Sequence, residues 1–365
     1  VVLEGIHYGN IAFSGRSVDT AGDVNGDGFH DLLIGARYAQ QGSQQVAGAA
    51  YVVFGDSRDF PTSIDLASLD GADGFTLPGL DMFDLAGWSL SHAGDVNGDG
   101  FDDFLVAAPG AYRDGIGSVG ETYVIFGHNG GFPASFDLTA LNGTNGFVFR
   151  GVERNDLAGY AVGGAGDVNG DGFDDLLIYA EGAQCTYVVF GAPSGFSANL
   201  DVSALDGTNG FVLTHVDPLS VTSRSAKTAG DINGDGFDDI LLGAPRADPG
   251  GVSGAGETYV VFGAAGGFAA SLDLSTLDGV NGFVLEGINE SDRSGSSVNS
   301  AGDINGDGFD DLIVGARRAD PGGISDAGET YVVVGTPDVF PARFDLATLE
   351  GTNGIVLAGI YEADV

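Results

Sequence analysis

Asp167, Asn169 and Asp171 place side-chain oxygens at alternate positions of the stretch AGDVNGDGFDDLLI (residues 165–178), and the carbonyl of Phe173 and the carboxylate of Asp175 continue the alternation. Carboxylates this close repel one another, and the glycines between them add chain entropy that folding must remove. The stretch therefore needs a compensating partner, and a row of hard oxygens without His or Cys selects a hard cation.

The same oxygens recur in four further copies. They are Asp23, Asn25, Asp27, Phe29 and Asp31; Asp95, Asn97, Asp99, Phe101 and Asp103; Asp231, Asn233, Asp235, Phe237 and Asp239; and Asp303, Asn305, Asp307, Phe309 and Asp311. Side chains at positions 1, 3 and 5 and a carbonyl at 7 match the first half of an EF-hand loop, with a glycine at position 6 where the chain must turn sharply. No Glu stands at position 12; an apolar strand does, so the last ligand is the Asp at position 9 and the loop is a metal-bound β-hairpin. An Asx-rich turn without metal explains one copy but not five in one register. The expectation is about five Ca²⁺ per chain, since Mg²⁺ demands a tighter octahedron than this flexible set gives.

Charge points the same way. Asp and Glu total 52 against 13 Lys and Arg, a formal −39, and Lys227 is the only lysine. That field argues against nucleic acid and anionic membrane surfaces and suits cation binding or a salty medium. Cys185 is the single cysteine, so no disulfide forms within the chain, and no apolar run approaches the length of a membrane span. The chain opens in mid-pattern with VVLEGI, which reads as a mature or excised piece of something longer.

Position 1 of the five copies falls at 23, 95, 167, 231 and 303, intervals of 72, 72, 64 and 72. The short interval comes from one loop, YAEGAQCTYV where another copy has RADPGGVSGAGETYV. Each unit holds four short β-branched runs bounded by glycine and no helical period. Between the third and fourth runs recurs SIDLASLDG or a variant, whose Asp (65, 137, 201, 273, 345) suits a cap on one helical turn with the next two Leu or Val inward; a packed loop is the plainer expectation. Four-stranded antiparallel units repeated in this way predict an all-β fold, a β-propeller rather than a solenoid. The expected blades are 13–79, 80–151, 152–214, 215–287 and 288–365, after a lone fourth strand at 1–12. Six fourth-strand segments for five sets of strands 1–3 leave VVLEGI surplus, either padding a ring in a longer array or pairing with another molecule, which would favour a filament.

The pattern G-x-[SA]-V…A-G-D-[VI]-N-G-D-G-F-x-D-[LI]-[LI]-[VI]-G-A-[PR] resembles the FG-GAP repeat of integrin α-subunits and their bacterial relatives. Gly243-Ala244-Pro245 spells the GAP element and Phe13-Ser14-Gly15 stands at the FG element. The resemblance implies a propeller with Ca²⁺ loops joining strands 1 and 2 of each blade. It also implies that loops 2–3 and 4–1 form the opposite face, where integrins meet ligands. Integrin propellers have seven blades and this chain has five repeats. His30 replaces the Asp found at position 8 of the other copies (102, 174, 238, 310), a position that is not a ligand in the pattern.

An enzyme needs a constellation present once. His7, His30, His92, His128 and His215 share no spacing with each other or with a nucleophile, Cys185 reads as a buried small hydrophobe and Trp88 as packing. The expectation is therefore no enzyme but an extracellular, calcium-stabilised structural or adhesive module that self-assembles through strand pairing. The alternative is a ligand-binding propeller, lectin-like or protein-recognising; the Gly-, Asp- and Ser-rich 2–3 loops, poor in aromatics, favour the first. Partners are calcium and copies of itself, another extracellular protein or a glycan. Loops of three Asp and one Asn without a bidentate Glu bind at ~10⁻⁴–10⁻³ M, and cytosolic calcium would leave them empty, which predicts a secreted or cell-surface address.

Overall fold

The computed structural model describes residues 2–4, 14–40, 46–57, 61–214 and 225–362. Most of the lone strand expected at 1–12, Phe13 of the FG element, His7 and His215 lie outside the described residues. The chain divides into two compact units, Val1–Gly164 with Phe173–Ala183 and Val189–Leu205, and Ala165–Gly172 with Gln184–Val188 and Asp206–Val365.

In the first unit the opening repeat forms strands β1 (Val2–Glu4), β2 (Val18–Gly22), β3 (Asp31–Ala36), β4 (Ala49–Val53), β5 (Ser63–Asp65) and β6 (Gly74–Pro78). β2, β3, β4 and β6 make a four-stranded antiparallel sheet in that order, as read from the apolar runs. The second repeat repeats it with Leu90–Gly94, Asp103–Ala108, Glu121–Ile125 and Gly146–Arg150. In the second unit the fourth and fifth repeats do the same, ending on Glu257–Val261 with Gly282–Glu286 and on Glu329–Val333 with Gly354–Ala358. Second strands such as Asp103–Ala108 are buried along their whole length, which is why they read as unbroken apolar runs rather than alternating ones.

The SIDLASLDG element is more than a packed loop. Asp65, Asp137, Asp201, Asp273 and Asp345 each cap a three-residue 3₁₀ turn through a side-chain oxygen, as the capping expectation had it. The three residues before the turn add a further strand, parallel to the fourth strand of the preceding repeat. Asn199–Asp201 pairs with Val148–Arg150, Ser271–Asp273 with Val212–Thr214, and Arg343–Asp345 with Val284–Glu286. A fifth, parallel strand thus joins the four antiparallel strands expected of a repeat.

The same rule places the surplus strand. β1 pairs in parallel with β5, Val2 against Ser63, Leu3 against Ile64 and Glu4 against Asp65. Its Val-Leu-Glu is the very sequence of residues 284–286, in the same register against the corresponding element. So the amino-terminal segment is not a free edge. The strand at the other end, Gly354–Ala358, has no parallel partner among the described residues, and Ile355 and Leu357 stand 46% and 54% exposed.

Aromatic stacks join consecutive repeats. Phe75, Phe147, Phe211 and Phe283 at the start of the fourth strands stack on Phe132, Phe196, Phe268 and Phe340, at centroid distances of 4.4, 4.7, 4.2 and 4.3 Å. The first members of these near-parallel pairs are buried, as are Phe132 and Phe340, while Phe196 and Phe268 are half-buried; such contacts add about 0.5–1.5 kcal/mol to burial itself. The equivalent position of the last repeat is Ile355.

Candidate metal centre

Each acidic loop joins the first and second strands of its repeat, as β2 and β3 flank residues 23–30. The first carboxylate organises the loop. Asp23 Oδ1 accepts the amides of Gly26 (2.8 Å) and Asp27 (3.0 Å), and Oδ2 accepts that of Gly28 (2.8 Å). Asn25 Oδ1 accepts the Asp27 amide at 2.9 Å, and Asp27 Oδ1 accepts that of Phe29 at 2.9 Å. The same bonds from Asp231, Asn233 and Asp235 order the fourth loop, and those from Asp303, Asn305 and Asp307 the fifth. Asp95 and Asn97 act likewise in the second, and Asp167 and Asn169 in the third. Position 6 takes φ of 88°, 88°, 89°, 91° and 96° (Gly28, Gly100, Gly172, Gly236, Gly308), the left-handed turn expected there.

Position 9 sits behind the loop, at the start of the second strand. Asp31, Asp103, Asp239 and Asp311 are fully buried, each accepting two backbone amides; for Asp31 they come from Val24 (3.1 Å) and Gly55 (2.8 Å). Burial, and then the charges at positions 5 and 1 of the same loop, push Asp31 up to about 7 and Asp103 and Asp239 to about 8, against the lowering effect of the amides. Among the described residues no three carboxylate, imidazole or thiol groups converge on one point. The remaining donors of the expected set are the Asn amide oxygen and the Phe carbonyl. The donor chemistry fits a hard cation, since a carboxylate raised chiefly by burial, with two further carboxylates of its loop nearby, lacks a compensating positive charge.

Position 8 has a role that sequence reasoning missed. Asp102 Oδ2 accepts the Asp23 amide at 2.6 Å, and the Asp102 amide donates back to the Asp23 carbonyl at 3.3 Å. Asp174 binds Asp95, Asp238 binds Asp167 and Asp310 binds Asp231 in the same reciprocal way, with carboxylate distances of 2.7, 2.9 and 2.9 Å. A Cβ on Gly22, Gly94, Gly166 or Gly230 would collide with that carboxylate, which explains the glycine before each of these loops. The Phe at position 7 lies over the position-4 glycine of the preceding loop, Phe101 over Gly26 and Phe309 over Gly234. His30 stands at position 8 of the first loop.

The residues set aside as packing behave so. Cys185 is buried, and the Trp88 indole donates to the Tyr160 carbonyl at 3.1 Å. His128 stacks on Phe132, and His92 Nε2 lies 3.2 Å from Asp102 Oδ1.

The FG-GAP repeat matches residues 14–53, 86–125, 158–198, 228–261 and 294–333, over half of the chain. The chain belongs to the FG-GAP repeat family. Every matched segment holds one acidic loop or the strands beside it, on four-stranded blades of the β-propeller class. Integrin alpha-3 of Cricetulus griseus is 33% identical over 184 residues, 48% of this chain and 15% of that protein. Integrin alpha-5 of Xenopus laevis is 28% identical over 255 residues, 64% of this chain and 20% of that protein. Phosphatidylinositol-glycan-specific phospholipase D of Bos taurus is 33% identical over 176 residues, 45% of this chain and 19% of that protein. The chain thus spans no more than a fifth of these relatives. Among the described residues no helix is long and apolar enough to cross a membrane.

Proposed function

We propose that this chain is an extracellular, calcium-stabilised β-propeller module of structural or adhesive use, not an enzyme. One observation carries the reading: five loops repeat one hard-oxygen register, and in all five the position-9 carboxylate is fully buried behind its loop. The ligands are positions 1, 3, 5, 7 and 9 of each loop, on blades 13–79, 80–151, 152–214, 215–287 and 288–365. Bound Ca²⁺ supplies the charge that these carboxylates lack, while the chain's own contribution is to hold the oxygens through the Asp23-type amide cradle. The integrin relatives support an adhesive reading, and the weak affinity of such loops supports an address outside the cell. Self-assembly is part of the proposal, through the edge of Gly354–Ala358, which has no parallel partner among the described residues.

Thermal melting tests it. Chelation with EGTA lowers the melting temperature substantially, Ca²⁺ restores it, and Mg²⁺ restores much less, because metal bound only by the folded loops adds its binding energy to stability. A melting curve indifferent to EGTA rules the calcium assignment out.

A further inference from the structure

The few basic residues of this chain are unevenly matched to its 52 acids. Arg113 meets Glu121 at 2.9 Å and Asp84 at 3.0 Å, Arg150 meets Glu121 at 2.9 Å, and Arg343 meets Glu257 and Glu286. Arg246, Arg293, Arg317 and Arg318, a third of the twelve arginines, have no carboxylate within ion-pairing distance among the described residues.

These four lie on adjoining loops of one unit. Arg246 and Arg318 hold the same position after the second strands Asp239–Ala244 and Asp311–Ala316, and Arg317 precedes Arg318. Arg293 stands where the second and third repeats have Leu85 and Leu157. Backbone bonds fix the group: the Arg318 amide donates to the Asp292 carbonyl (3.1 Å), that of Arg293 to Gly254 (3.1 Å) and that of Ser291 to Ser253 (2.9 Å). The nearby acids are committed elsewhere. Asp248 Oδ1 accepts the Gly254 amide (2.6 Å), Asp320 Oδ1 that of Asp326 (2.7 Å), and Asp292 the Asn289 side chain (3.1 Å). Burial, and then repulsion from Arg318, Arg317 and Arg246, holds the Arg293 guanidinium below its ordinary range.

We propose that Arg246, Arg293, Arg317 and Arg318 form a docking site for an acidic peptide segment of a partner protein. The proposal deepens the adhesive reading above and rests on it. Carboxylates are the chemistry this chain already gives its arginines at Arg113, Arg150 and Arg343, and a guanidinium fork can donate to both oxygens of one carboxylate. A net charge of −39 repels an acidic partner at range, so attraction has to come from a local cluster acting within a Debye length of ~8 Å.

The test uses the full chain in Ca²⁺ buffer and a fluorescein-labelled decapeptide of alternating Asp and Gly, read by anisotropy. Saturable binding is expected, weakened about tenfold by the double substitution Arg317→Gln, Arg318→Gln and unchanged by Arg16→Gln, with both variants melting like the parent. No saturable binding, equal binding by the double variant, binding of dextran sulfate in place of the peptide, or displacement of the peptide by self-association of the chain would each overturn it. Peptide binding alongside an EGTA-indifferent melting curve sinks the calcium reading alone. Absent peptide binding alongside the EGTA shift sinks this proposal alone.

Discussion

Asp102 and Asp23 hold one another across 79 residues of sequence, carboxylate to amide at 2.6 Å and amide to carbonyl at 3.3 Å. The residue held is position 1 of one acidic loop and the residue holding it is position 8 of the next. Within each unit the loops are therefore linked in series, and the first carboxylate of a loop is positioned partly by its successor. Asp102→Ala should weaken Ca²⁺ binding at the first loop although Asp102 is no ligand, and should cost about 1–2 kcal/mol for the stranded Asp23 amide. Asp102→Asn, which keeps an acceptor, should recover part of the loss, and His30→Ala should leave calcium binding unchanged. Calcium titration calorimetry on the three variants checks this, and equal affinities throughout would refute the linkage.

Stacking between repeats gives a second expectation. Phe75 is fully buried and stacked on Phe132, while Ile355 at the equivalent place in the last repeat is 46% exposed. Phe75→Ala should lower stability by about 3–5 kcal/mol, because both the buried area and the stack are lost. Ile355→Ala should cost less than about 1 kcal/mol. Urea unfolding separates them, and similar midpoints would show that the stack carries no special weight.

A third expectation concerns acid. Asp137 Oδ1 accepts the Thr139 hydroxyl (2.6 Å) and amide (2.9 Å), the hydroxyl counting for more, and these bonds hold its carboxyl below the usual carboxylate range; Asp206 is held down likewise by Thr208. A folded-state pKa below the unfolded one means the contribution is complete above the ordinary carboxylate pKa and disappears as pH falls through the lowered value. Carboxyl carbon shifts followed by NMR should give Asp137 a midpoint below about 3.9, and Thr139→Ala should raise it. A parent midpoint at or above the ordinary value would contradict the capping geometry.

Much of this was legible in the sequence, and the rest was not for identifiable reasons. The oxygen register of Asp23 to Asp31 and the four strands declare themselves because each has a short period that repeats five times. The cap at Asp65 declares itself by residue type and place. The function of Asp102 does not, because its partner is another loop at a spacing that only the succession of blades brings close. The parallel strand Ser63–Asp65 is three residues long, too short for any period, while Phe132 recurs at the repeat spacing as Phe196, Phe268 and Phe340, a signal the reading of the strands passed over. Two exceptions carried the missing information: His30 replaces Asp only in the first loop, and Ile355 replaces Phe only in the last repeat. Both stand at positions where every other copy makes a contact to its neighbour.

The last expectation concerns the two ends of the chain. β1 occupies the edge of β5 in the register that Val284–Glu286 shows against Arg343–Asp345. Gly354–Ala358 has the same kind of edge, with exposed Ile355, Val356 and Leu357 and no parallel partner among the described residues. If one copy supplies Gly354–Ala358 and another supplies Ser63–Asp65, β1 of the second copy competes for the same edge through only three residue pairs. Deleting residues 1–6 removes the competitor, so the shortened chain should self-associate more strongly than the parent, by head-to-tail pairing that grows filaments unless the geometry closes a ring. Leu357→Lys, which places a charge on the supplied strand, should reverse the gain. Multi-angle light scattering in Ca²⁺ buffer reads the outcome. A shortened chain that stays at monomer mass at all concentrations would rule this assembly out.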